Sequence, residues 1–212
     1  RGLGDVYKRQ PQTCMAFDFV FEVEDQRDWQ RRTGCSKNPF SCFFCHLLEI
    51  VAPETEIHDI TYGVGSFYQH CSHKQIFAAD IKRWPWIVKP AEFKQTDALE
   101  YLRELSSENR YRRVVIIDPP FSVHPVGNSR HYEYLYYPKP WPFEYLKNVL
   151  QEARAKSRIV ILKYMGDRKE EAELTAMANY VIIWRFFKSR IFVNKHNLVV
   201  RNASKIFIFL TM

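Results

Sequence analysis

The sequence predicts an α/β domain built on one mostly parallel sheet, and three observations carry that expectation. Val114-Val115-Ile116-Ile117 is an unbroken β-branched run, the pattern of a strand covered on both faces. Short runs of this kind alternate with helical periodicities along most of the chain, which is the signature of crossover units. The strand-like runs also end on carboxylates: Asp59, Asp80, Asp97 and Asp118. Ligands bind where an open α/β sheet ends its strands, so an ordered set of acids at that edge points to a site. Any single one of them reads as an ordinary turn residue.

The elements follow in order. Arg1 to Gln10 lacks an initiator Met and any periodicity. Residues 1–14 are therefore expected to be a non-native or disordered leader, with the domain over 15–212 and its core from about 37. Ala16 to Gly34 is apolar, then strongly charged, and no element is assigned to it. Phe40 to Val51 places Phe40, Phe43, Phe44, Leu47, Leu48 and Val51 on one helical face. Thr55 to Ile60 is the first strand, and it runs into Asp59-Ile60-Thr61-Tyr62-Gly63-Val64-Gly65. Glycine there lets backbone approach a ligand without a Cβ in the way. Lys74 to Ala79 is a second strand ending at Asp80, and Glu92 to Asp97 a third. A helix follows with Ala98, Tyr101, Leu102 and Leu105 inward. The fourth strand stops at Asp118-Pro119-Pro120-Phe121, because two prolines remove two ladder donors and fix φ.

Beyond that point, Ser122 to Pro142 reads as a long aromatic loop containing Tyr132, Tyr134, Tyr136, Tyr137 and Trp141, with His124, Arg130 and His131. Long loops of this kind are often functional, and a substrate-gripping lid or a packed aromatic satellite both suit it. Phe143 to Lys156 is a helix with Leu146, Val149, Leu150 and Ala153 inward. Arg158 to Leu162 is the fifth strand, leading to Lys163. Glu170 to Ala178 is the last helix, and Tyr180 to Trp184 and Lys205 to Leu210 are strands six and seven.

The chain has 212 residues, a formal net charge of +7, a pI near 9.1 and 16% aromatic residues. Cations with abundant rings suit nucleic acid, since phosphates pair with Lys and Arg while bases stack. Arg112, Arg113, Lys139, Lys147, Arg154, Lys156, Lys188 and Arg190 are scattered through the later chain, and salt-sensitive binding to polynucleotide is expected. No apolar run approaches the ~18 residues of a membrane helix, so no membrane partner is expected. Five cysteines, an odd number, argue against a disulfide framework and for a reducing, cytoplasmic setting. Cys42, Cys45 and His46 share one helical turn and Cys35 precedes them, but a structural zinc site needs a second cluster at defined spacing. The apolar helix accounts for the cysteines equally, so no metal is expected.

This order of strands, glycine loop and Asp-Pro-Pro-Phe resembles the class I S-adenosylmethionine-dependent methyltransferases, in the branch that methylates amino groups of adenine or cytosine. The resemblance spans about residues 37 to 212. It implies a single Rossmann-like domain with a seven-stranded sheet, the last strand antiparallel, and helices on both faces. It implies S-adenosylmethionine as cofactor, with Asp59, Thr61, Tyr62, Gly63 and Gly65 around its methionine part. Asp80 would hold the ribose hydroxyls, and Asp97 would lie by the adenine. Asp118, Pro119, Pro120 and Phe121 would be catalytic, Asp118 also bordering the cofactor. Phe121 stands where Tyr is more usual, so stacking survives and a hydroxyl is absent.

Two polymers remain open. DNA is favoured because a small single-domain protein with this motif order resembles DNA-modifying members, and RNA is the alternative. A protein glutamine amide is a further candidate, although that chemistry usually has Asn in place of Asp118. A catalytically inactive fold serving as a nucleic-acid-binding subunit belongs to another class, and the intact Asp118 and glycine loop argue against it.

Overall fold

The computed structural model describes residues 17–23, 34, 38–53, 55–71, 74–120, 141–164, 168–177, 180–193 and 199–211. Its strands are β1 (Phe17–Val23), β2 (Glu56–Asp59), β3 (Ile76–Asp80), β4 (Glu92–Gln95), β5 (Arg113–Ile117), β6 (Ile159–Tyr164), β7 (Tyr180–Val193) and β8 (Val199–Leu210). The helices are α1 (Pro39–Val51), α2 (Ala98–Glu104), α3 (Phe143–Lys156) and α4 (Arg168–Ala176). One sheet in the order β1-β7-β8-β6-β5-β2-β3-β4 contains every strand. All neighbours pair in parallel except at β8, which runs antiparallel to β6 and β7.

The seven expected strands are present, with the last antiparallel. The eighth, β1, corrects the expectation of seven: it pairs with β7 from Phe17↔Tyr180 to Val23↔Phe186. Its Phe17-Asp18-Phe19-Val20-Phe21-Glu22-Val23 has a period-two pattern, but the charged run after it obscured the strand. The third strand also ends earlier than expected, at Gln95.

β5 shows why the sheet is covered on both sides. Val114 and Ile116 join the core beneath α1, while Val115 and Ile117 join the core beneath α2, α3 and α4. Successive side chains of a strand point to opposite faces, so four consecutive apolar residues require two cores. The expected face of α1 is the one buried: Phe43, Phe44, Leu47 and Leu48 are within 1% of full burial. Each contributes about 1.5–3 kcal/mol by leaving water. Asn38 begins α1, accepting from the Ser41 amide at 3.3 Å.

The cysteines depart from expectation. Cys45 on α1 and Cys71 after the glycine loop are joined by a disulfide, with Cα atoms 5.3 Å apart. An odd total does not prevent one pair from forming, and tertiary folding brings together two cysteines 26 residues apart in the chain. Among the described residues no helix is long and apolar enough to cross a membrane.

Candidate active site

The site lies at the edge where β2, β3, β5 and β6 end. Asp59 closes β2 and is 1% exposed. One of its oxygens accepts from the Thr61 amide at 2.9 Å and from the Thr61 hydroxyl at 3.2 Å; the other accepts from the Tyr68 hydroxyl at 2.6 Å. The Thr61 Oγ1 in turn accepts the backbone N–H of Asp118 at 2.6 Å. A single chain of hydrogen bonds therefore runs from the end of β2 to the end of β5. Burial pushes the Asp59 carboxyl up to about 7; the Tyr68 and Thr61 bonds oppose that rise, and the negative charge of Asp118 adds to it.

The glycine loop is fixed from the β3 side. Tyr62 donates its amide to the Ala79 carbonyl at 3.2 Å, and Gly63 donates its amide to Asp80 at 2.9 Å. Gly65 has φ +74°, and a Cβ there would sit 2.7 Å from both the Tyr62 hydroxyl and the Val88 carbonyl. Both the conformation and the contact require glycine. The Tyr62 ring stacks on Tyr68 with centroids 5.4 Å apart, so the loop is backed by aromatic packing.

Asp80 is 4% exposed, and burial raises its carboxyl above the ordinary range. Opposing that rise are the amides of Gly63, Lys82 and Ile81 and the side chain of Trp84. A carboxylate has about four lone-pair positions. Of the donors around Asp80, only the Trp84 indole belongs to a side chain that can turn away.

Asp118 leaves the sheet half-buried, and both its oxygens lie 3.0 Å from the Lys163 ammonium. That ammonium also sits over the ring of Phe67, 4.8 Å from its centroid, and 5.5 Å from that of Phe40. Two rings and a carboxylate together hold one cation. Pro119 is buried and Pro120 half-buried behind Asp118.

The structure thus brings together Asp59, Thr61, Tyr62, Gly63, Gly65, Asp80 and Asp118. Asp97 follows the end of β4, next to Thr96, whose amide donates to the Asp80 carbonyl at 3.0 Å; it caps α2, accepting from the Leu99 amide at 2.8 Å, and both its oxygens accept from the Tyr145 hydroxyl, at 2.8 and 2.7 Å. Phe121 and the loop residues 122–140 lie outside the described residues, as does Cys35. Of the thiol and imidazole candidates, Cys45 is bonded to Cys71, and His46 faces Glu49 at 3.8 Å on an exposed surface. Among the described residues no cluster of three or more His, Cys, Asp or Glu side chains is arranged to hold a metal.

Sequence reading passed over Lys163, Tyr68 and Tyr145 as functional partners. In the sequence, Lys163 is only the residue that follows the strand-like run from Arg158 to Leu162. Nothing local shows that strand order puts it opposite Asp118.

No protein-family model matches the chain, and no curated protein matches it. Solved structures do. An S-adenosylmethionine-dependent methyltransferase from Agrobacterium tumefaciens superposes with a TM-score of 0.53 at 12% identity, covering 81% of this chain and 61% of the other. A proposed RNA methyltransferase from Pyrococcus horikoshii superposes with a TM-score of 0.52 at 11% identity, covering 88% of this chain and 98% of the other. The shared property is the fold. This chain spans under two thirds of the length of the Agrobacterium protein.

Proposed function

We propose that this protein transfers a methyl group from S-adenosylmethionine to an exocyclic amino group of a nucleobase, adenine N6 of DNA being the favoured target. The observation that carries the reading is the hydrogen-bond chain Asp59–Thr61–Asp118, which ties the glycine loop to the Asp-Pro-Pro stretch. A cofactor cradle and an amine-facing carboxylate then share one frame.

The residues present fit the cofactor. The turn from Thr61 to Val64 would meet it at the end of β2, with Asp59 at that strand end and Asp80 at the next, while the space beside Gly65 is taken by Tyr62 and Val88. Ribose hydroxyls would take the place of the Trp84 indole on Asp80. When bound, the cofactor supplies an electrophilic sulfonium methyl. The remaining work belongs to the chain. An exocyclic amine is a poor nucleophile because its lone pair is delocalised into the base. Asp118 and the Pro119 carbonyl accept its two N–H bonds, which favours a pyramidal nitrogen with its lone pair directed at the methyl. Lys163 holds one Asp118 oxygen in place while the other turns to the amine. After transfer the nitrogen carries a positive charge, and its proton leaves to Asp118 or to water.

Incubation with methyl-labelled cofactor and mixed polynucleotides, followed by nucleoside analysis, tests this. Label on an exocyclic amine is the expected result, and label on carbon, on ribose or on none of the polymers overturns it. RNA is the second reading, supported by the description of the Pyrococcus fold neighbour as an RNA methyltransferase. The same assay separates the two polymers.

A further inference from the structure

We propose that the segment from Ile81 to Ala91 is a contact surface for a single-stranded polynucleotide, a proposal that rests on the function above and gives it a binding face. The segment leaves the site edge directly after Asp80 and reads Ile-Lys-Arg-Trp-Pro-Trp-Ile-Val-Lys-Pro-Ala. It contains Lys82, Arg83 and Lys89 and no acidic residue.

It is held as a strap against the glycine loop. The Ile87 amide donates to the Val64 carbonyl at 2.8 Å, and the Tyr62 hydroxyl donates to the Val88 carbonyl at 2.8 Å. The Ala91 amide returns the chain to the Ile76 carbonyl at 2.9 Å. Pinned in this way, the strap turns its cations outward. Lys82, Arg83 and Lys89 are exposed, and Ile81 and Ile87 lie between them at 39% and 59% exposure. The Lys82 ammonium lies 4.4 Å from the Trp84 ring centroid, and the Arg83 guanidinium 4.8 Å from that of Trp86. Among the described residues none of these three cations is paired with a carboxylate.

The other cations named in the sequence behave differently. Arg113 is buried on the carbonyls of Ser106 and Lys156, and Lys156 itself on that of Leu105. Arg154 is held by the Met177 carbonyl. Lys147 is paired with Glu144 and Glu173. Arg112 lies beside the start of β5, at the far edge of the sheet. Lys139 lies outside the described residues, as do the side chains of Lys188 and Arg190. On the site edge, Lys163 and Lys205 are engaged by Asp118 and Glu171. The strap is therefore where phosphates meet cations that no acid already holds, on the edge that carries Asp118. Two strand spacings, about 10 Å, separate β3 from β5, so nucleotides flanking a base at Asp118 come within reach. Exposed apolar side chains among cations suit unpaired bases, which have free faces, better than a duplex.

The test is binding of a labelled oligonucleotide to the whole chain and to the variant Lys82→Ala/Arg83→Ala/Lys89→Ala, measured across salt concentrations. DNA and RNA single strands and the matching duplexes form the separate arms. The variant is expected to bind single strands at least tenfold more weakly, with a log–log salt slope shallower by about 2, since each single-strand phosphate contact contributes about 0.7. Its melting temperature and its calorimetric affinity for S-adenosylmethionine should match the parent. Lys82→Arg/Lys89→Arg, which keeps the charge, should bind like the parent. Equal binding and slope in the alanine variant overturn the strap while leaving the proposed function standing. Tighter binding of duplex than of either strand overturns the single-strand assignment. A parent that binds no polynucleotide overturns both the strap and the proposed substrate.

Discussion

The two ends of β5 carry opposite charges put to different uses. At its start, Arg113 is 4% exposed and donates to the carbonyls of Ser106 and Lys156 at 2.8 and 2.9 Å. Those partners close the loop before β5 and the C-terminus of α3, so the guanidinium ties three segments together. At its end, Asp118 is half-buried, and its carboxylate faces the Lys163 ammonium, which lies over the rings of Phe67 and Phe40. Backbone partners make the first charge structural, because carbonyls cannot leave without unfolding a segment. Side-chain partners leave the second charge exchangeable, since Lys163 can give up one oxygen while keeping the other.

The largest expected effect tests the exchangeable end. Asp118→Ala should lower turnover of labelled cofactor by about 10²–10⁴-fold. Its calorimetric affinity for S-adenosylmethionine should change by only a small factor. Retained turnover would remove Asp118 from catalysis and erase the contrast between the two ends.

Next comes the structural end. Arg113→Met leaves buried carbonyls without a charged donor, which costs about 2–3 kcal/mol of stability. Thermal melting should register that loss while turnover per folded molecule stays at the parental level. A variant that melts normally but turns over poorly would mean that Arg113 acts on the chemistry.

A smaller effect sharpens the role of Lys163. Lys163→Met should lower kcat by about tenfold, the scale of one charge-assisted hydrogen bond. Lys163→Arg, which keeps a charged donor to Asp118, should restore kcat. An unchanged kcat in Lys163→Met would reduce the residue to packing.

The smallest effect concerns the buried acid behind them. The folded Asp59 carboxyl, pushed up to about 7, holds its proton across a range where the unfolded chain has lost it. Between about pH 4 and pH 7 the folded state then binds more protons than the unfolded one, so this group makes stability fall as pH rises. Asp59→Asn should flatten that part of the melting profile. Ionised Asp59 is also the form that attracts a cationic ligand, so cofactor affinity should rise severalfold from pH 6 to pH 8. A pH-independent affinity would place the cofactor away from Asp59.

Legibility in the sequence tracks how local each feature is. The face of α1, the two-sided burial of β5 and the stop at Pro119-Pro120 follow from spacing within a few residues. The strand β1 was equally local, and Phe17, Phe19, Phe21 and Val23 display it, but the charged stretch after Val23 drew the segment towards irregular structure. Asp97 shows a second gap between sequence and structure. Its position after a strand-like run is legible locally, but its partners are not: it caps a helix, and Tyr145, 48 residues on, donates to both its oxygens. The basic residues were counted correctly but not located, because charge totals carry no information about which cations already bind carbonyls.

By itself the sequence determined the α/β architecture, the edge on which the carboxylates gather and the glycines that the loop between β2 and β3 needs. These depend on periodicity, turn chemistry and backbone conformation, which act over a handful of residues. Only the tertiary structure decided what each charge does. Thr61 meets the Asp118 amide across 57 residues, Lys163 meets Asp118 across 45, and Cys45 meets Cys71 across 26. Such partners are chosen by strand order and register, and the free energy of an ion or a thiol is set by whichever group the fold places within hydrogen-bond or bonding distance of it.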